Sequence, residues 1–150
     1  MNQAERVFIQ TVKSHYKKYG RHDLPWRETA DAYKIVVSEI MLQQTQVDRV
    51  IPKYTAFLKK FPTIQKLAKA QLADVLALWS GLGYNRRAKY LHQMAQVVIS
   101  EYKGKLPTTI EGLKALPGIG PYTAGAIYAF AYNNPVPMIQ TNTPTVYIHP

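Results

Sequence analysis

Glu39 is the one acidic residue in the stretch SEIMLQQTQV (38–47). It lies among Val36, Val37, Ile40 and Met41, at the edge of an apolar helix face. A carboxyl in that setting is partly desolvated, which raises its pKa and keeps a proton available near neutral pH. The chemistry this permits is protonation of a leaving group. Gln43, Gln44 and Thr45 follow at the end of the same helix. Their uncharged side chains can hydrogen-bond planar polar edges without the desolvation cost of a charge. A second stretch, GLGYNRRAKYLH (81–92), sets Leu82 and Tyr84 on a turn bracketed by Gly81 and Gly83, with Arg86 and Arg87 directly behind. A third, LPGIGPYTAGAI (116–127), has Gly118 and Gly120 ahead of Pro121 at a helix start. Glycines permit positive φ and let a surface approach the backbone, and proline suits the first helical position. Such a turn aims N–H groups and a helix dipole at one spot, which suits a phosphate.

The balance of charge supports a polyanion partner, against the plainer reading of a basic surface with no specific partner. There are 19 Lys and Arg against 9 Asp and Glu, a formal net charge of +10, and no acidic residue follows Glu111. A polyanion is expected, nucleic acid before an anionic membrane. The 150 residues contain no Cys, which excludes a disulfide framework and a cysteine metal site within them. No apolar run approaches the ~18–20 residues of a membrane span. The first residues, MNQAERVFIQ, lack the apolar block of a signal peptide. A cytoplasmic, nucleoid-associated protein with no membrane partner is expected.

The elements that must position these residues read as helices almost throughout. Asn2 with Glu5 forms a capping box for a first helix that carries Val7, Phe8, Val12 and Tyr16 on one face and ends at Gly20. Asp31 caps the helix of Glu39, with Tyr33, Val36, Val37, Ile40 and Met41 as its stripe. Further helices are expected over about 46–60, with Pro52 in the first turns, after Thr63, from Leu72 to Trp79, after a cap at Asn85, after Thr108 or Thr109, and from Pro121 to about Tyr132. No stretch alternates with period two for long enough to make a strand. The last residues, TVYIHP, read as the start of a new apolar element in a truncated sequence.

Taken together, LPWR (24–27), SEIMLQQTQV, GLGYNRRAKYLH and LPGIGPYTAGAI resemble, in order, the motifs of the helix-hairpin-helix-GPD DNA glycosylases. Within that family they are most similar to the branch that releases adenine mispaired with 8-oxoguanine or guanine. The resemblance implies an all-α, helix-hairpin-helix glycosylase fold: a six-helix lobe plus an incomplete second lobe. The expected division is 1–30 as N-terminal helix and loop of the second lobe, 31–132 as the helical lobe with its helix-hairpin-helix at 109–132, and 133–150 as the start of a truncated C-terminal lobe.

The resemblance also implies roles. Glu39 would be the general acid that protonates adenine. Gln43, Gln44 and Thr45 would bind DNA, Gln44 by inserting into the duplex and Thr45 on the opposite strand. Leu82 and Tyr84 would bind DNA, Tyr84 as a wedge slipped between base pairs, and Arg86 and Arg87 would lie where a phosphate strand passes. Gly118, Gly120 and Thr123 would bind the backbone. Trp26 and Arg27 would lie near the base pocket. Tyr122 occupies the position at which endonuclease III carries a nucleophilic lysine; a phenol has no amine, so a monofunctional glycosylase without strong strand cleavage is implied. The partner would be double-stranded DNA with a mismatched or oxidised base, bound by a monomer. No cofactor is expected within this segment, and a 4Fe–4S cluster, where the family has one, lies beyond it.

In one respect the chain departs from that pattern. The family has an aspartate, soon after the hairpin, that stabilises the sugar cation; here the stretch is MIQTN, with Gln140 in that place and Asn142 matching the following asparagine. A neutral amide gives a dipole but no full charge. Two alternatives follow: an endonuclease III-like glycosylase for another damaged base, and a DNA-binding module that recognises distorted duplex with weakened or no catalysis.

Overall fold

A computed structural model describes residues 1–137. Among these, eight α-helices and one 3-10 turn account for all regular structure, and no strand occurs. The helices are α1 (Gln3–Tyr19), α2 (Ala32–Leu42), α3 (Val47–Lys60), α4 (Ile64–Ala68), α5 (Leu72–Trp79), α6 (Arg86–Glu101), α7 (Ile110–Lys114) and α8 (Pro121–Tyr132). The lobe from α2 to α8 has seven helices, each where the sequence pattern puts one, against the six that the resemblance implies; two of them, α4 and α7, have only five residues.

Helix boundaries follow local chemistry. Asn2 and Glu5 make the reciprocal capping box of α1. The side chains of Asp31, Thr63 and Thr109 accept from the backbone N–H three residues on, at Lys34, Lys66 and Gly112. Asn85 differs from expectation. Its backbone is already helical (φ −55°, ψ −20°), so its side chain is turned away from the capping position and makes no cap.

The core forms on α2, whose Ile35, Val36, Val37, Ile40 and Met41 are all buried. It packs against α8, α3 and α6. The small residues Ala124, Gly125 and Ala126 of α8 are buried, which lets two helices approach closely. Trp79, Phe57 and Leu91 complete the interior, with the Phe57 and Trp79 rings edge-on at 6.1 Å. Tyr33 bolts the start of α2 to the end of α3 by donating to the Phe61 carbonyl at 2.7 Å.

Helix α1 stands apart. None of its residues is buried, and Val7, Phe8, Val12 and Tyr16 are each about half exposed. Its apolar stripe has the expected spacing but no cover among the described residues.

Candidate DNA-binding and base-excision site

Three segments converge: the end of α2, the GLGY loop before α6, and the hairpin between α7 and α8. Glu39 is half-buried one turn from the end of α2. Burial alone pushes its carboxyl up from 4.5 to about 7. A group with that pKa holds a proton on roughly half the molecules at neutral pH, the condition a general acid requires.

Helix α2 ends at Gln43, and Gln44 then takes a left-handed conformation (φ +53°) that leaves its side chain exposed. The GLGY loop mirrors this. Gly81 and Gly83 have φ +89° and +74°, and Tyr84 has φ +49° with its ring 65% exposed. Non-glycine residues rarely adopt positive φ, so two such residues on facing loop tips show that the surroundings impose the shape. Thr45 Oγ1 donates across to the Leu82 carbonyl at 3.3 Å. An open groove runs between the tips, lined by Gln44, Thr45, Arg49, Gly81, Gly83 and Tyr84.

In the hairpin, only Gly118 uses positive φ (+76°). A Cβ there would sit 2.7 Å from Tyr90 Cβ, so the turn also packs tightly on α6. Gly120 is the N-cap of α8 in ordinary extended conformation (φ −83°, ψ 175°), with nothing within 4 Å of where a Cβ would be. Its lack of a side chain leaves open space in front of the first turn of α8, where N–H groups have no intrahelical partners. Tyr122 lies in that first turn, 38% exposed.

Several residues sit differently from the sequence reading. Thr123 is buried, and its hydroxyl accepts from Gln43 Nε2 at 3.3 Å, so both side chains join α2 to α8. Leu82 is buried too, leaving its carbonyl as its polar contribution. Arg27 is exposed and donates to Tyr16 Oη at 3.1 Å and to the Arg21 carbonyl at 2.9 Å, with its guanidinium over the Tyr16 ring. It therefore tethers α1. Trp26 packs edge-on against Tyr54 at 5.4 Å, at the rim of the core. Arg86 is exposed on α6, open to a phosphate. Arg87 is turned inward, and burial pulls its guanidinium pKa below the usual value. The signal for this was in the sequence: Arg87 precedes the buried Leu91 by four residues and so shares its helix face. Gln140 and Asn142 lie outside the described residues.

The glycine hairpin, the half-buried carboxyl and the two loop tips with positive φ are all carried by one helical lobe. The family described as HhH-GPD superfamily base excision DNA repair protein matches residues 37–148, and the chain belongs to it. Its curated relatives include the adenine DNA glycosylases of Mycolicibacterium smegmatis (49% identical over 125 residues), Buchnera aphidicola subsp. Baizongia pistaciae (46% over 127) and Homo sapiens (44% over 149). These alignments take in 83%, 85% and 93% of this chain but 43%, 36% and 27% of the relatives, so the chain spans less than half their length. Among solved structures, a thermostable thymine-DNA glycosylase superposes with TM-score 0.85 at 31% identity, over 91% of this chain and 63% of that one. An endonuclease III–DNA complex shares the fold, with TM-score 0.78 at 17% identity over 97% of this chain and 68% of that one.

With no cysteine in its 150 residues, the chain offers no ligand to a cysteine-held cluster. Among the described residues, no group of three His, Cys, Asp or Glu side chains could hold a metal ion, and no helix is long and apolar enough to cross a membrane.

Proposed function

We propose that this chain carries the base-excision chemistry of a monofunctional adenine DNA glycosylase, hydrolysing the N-glycosidic bond of adenine mispaired with 8-oxoguanine or guanine. The relatives' shared name supports adenine as the base. The observation that carries the mechanism is Glu39, a carboxyl held near pKa 7 by burial at the end of the helix that presents Gln44.

The duplex lies across Gln44, Tyr84 and the hairpin. Gln44 and Tyr84 enter the stack as the adenine turns out, a step that costs a few kcal/mol in unstacking. Gly118 and Gly120 let the hairpin amides hold backbone phosphate, and Arg86 adds a cation. Glu39 gives its proton to a ring nitrogen of the base. The bond from C1′ to the base then breaks with its electron pair leaving on adenine, and an oxocarbenium-like sugar remains. Water adds to C1′ and returns a proton to the Glu39 carboxylate, so the products are free adenine and an abasic site. In sequence, Gln140 stands where the family resemblance puts a carboxylate, and an amide offers the cation no full negative charge, which weakens this step. Tyr122 lies by the sugar without an amine, so no strand cleavage follows. The protein acts as a monomer on double-stranded DNA in the cytoplasm, in association with the nucleoid, and its net charge of +10 favours that partner.

The likeness to a thymine-DNA glycosylase supports a second reading, in which the released base is thymine. Single-turnover base release from A:8-oxoguanine, A:G and T:G duplexes separates the two. Adenine release that falls as pH rises through about 7, is lost in Glu39→Gln and speeds up in Gln140→Asp establishes the first. Release from T:G alone establishes the second. Salt-dependent binding with no release by any variant leaves a binding module.

A further inference from the structure

We propose that Arg87 is a positioning residue that locks the Gln44 and Tyr84 loop tips into one rigid unit for entering the duplex, and that it does not contact phosphate. The inference rests on the reading above, in which those two tips enter DNA. Arg87 Nη1 donates to the carbonyls of Ile40 (2.8 Å), Met41 (3.0 Å) and Gln43, the C-terminal end of α2. Nη2 donates to Thr45 Oγ1 (3.0 Å) and to the carbonyls of Leu82 (3.1 Å) and Gly83 (3.1 Å). One nitrogen thus serves the catalytic helix and the other serves the loops. The planar fork also lies 5.5 Å from the centroid of the Trp79 ring beneath it and 5.6 Å from that of Tyr84.

Three physical points give this arrangement its meaning. The last carbonyls of a helix lack intrahelical donors and carry the negative end of its dipole, so a half-buried cation there is well placed. The acceptors flank the strained residues: Gln43 and Thr45 lie on either side of Gln44 (φ +53°), and Gly83 precedes Tyr84 (φ +49°). Conformations of that kind persist only where neighbours over-determine them. A guanidinium already occupied by six protein acceptors has no N–H of Nη1 or Nη2 left for a phosphate. Lysine, with three donors on one point, cannot reach both groups at once.

The test places 2-aminopurine at the adenine position of a duplex and reads its fluorescence as the base leaves the stack, alongside duplex affinity over a salt series. Neither readout needs bond cleavage. The 150-residue chain, Arg87→Lys, Arg87→Ala and Arg86→Ala are compared, each with helical content by circular dichroism. The expected result is that Arg87→Lys retains its helices and the salt slope, while the rate of base extrusion falls about tenfold or more. Added guanidinium ion restores extrusion in Arg87→Ala. Arg86→Ala instead lowers the salt slope by about one. A slope lowered by about one in Arg87→Lys or Arg87→Ala makes Arg87 a phosphate contact and overturns the proposal. Extrusion in both variants at the rate of the unaltered chain also overturns it, as does loss of helical content in both, which would make Arg87 a general structural residue. If the unaltered chain itself extrudes no base, the duplex-entering reading fails, and the proposal fails with it.

Discussion

Gln43 and Thr123, 80 residues apart, share a hydrogen bond of 3.3 Å from Nε2 to Oγ1. It joins the end of the helix that carries Glu39 to the first turn of the helix that opens at the hairpin. Thr123→Val keeps the shape and removes the acceptor, leaving a half-buried amide without it. A loss of about 1 kcal/mol in urea-midpoint stability is expected, with Thr123→Ser close to the unaltered chain. Equal stability of all three proteins would mean that the bond contributes nothing.

Glu39 makes stability depend on pH in an unusual direction. Its native pKa, about 7, lies above the unfolded value of 4.5, so the native state holds the extra proton between those values. Stability therefore falls as pH rises from 4.5 to 7, and the full penalty persists above 7. Glu39→Gln has no such penalty. Relative to the unaltered chain, the variant should gain on the order of 2 kcal/mol between pH 5 and pH 8, as read by denaturant midpoints. A constant difference across that range would show that the carboxyl titrates normally.

The two hairpin glycines should separate folding from binding. Gly118→Ala needs positive φ and places a Cβ 2.7 Å from Tyr90 Cβ, so a loss of about 1–3 kcal/mol in stability is expected. Gly120→Ala meets neither obstacle and should unfold with the unaltered chain. Its methyl instead fills the open space before α8, and its duplex affinity should fall about tenfold, measured at fixed salt. Unchanged affinity in Gly120→Ala would remove the hairpin from the DNA interface.

Tyr122→Lys puts a primary amine in the first turn of α8, where the helix dipole favours the uncharged form. Its attack on C1′ of an abasic-site duplex, with loss of water, gives a Schiff base that borohydride reduces to a stable adduct. Gel electrophoresis should show a protein–DNA band for the variant and none for the unaltered chain. No band for either would place residue 122 away from the sugar.

Much of what depends on neighbours three or four residues apart was legible in the sequence, the cap at Asn85 excepted. The caps at Asn2, Asp31 and Thr63, the inward stripe of α2 and the turn at Gly118 each follow from the chemistry of one short segment, and of Thr108 and Thr109 the structure picks the second. The raised pKa of Glu39 agrees with its place at the edge of the apolar face of α2, which the sequence shows. Tertiary structure alone decided which partners the long side chains bond. The spacing of four to Leu91 puts Arg87 on the inward face of α6, but only the docking of α2 beside the GLGY loop brings six acceptors to it. In the same way Thr123 turned from a surface hydroxyl into a strut for Gln43, and Arg27 into a tether for Tyr16. The physical reason is distance along the chain. A cap is satisfied by its own helix, whereas a hydrogen bond across 42 or 80 residues exists only once the helices have packed.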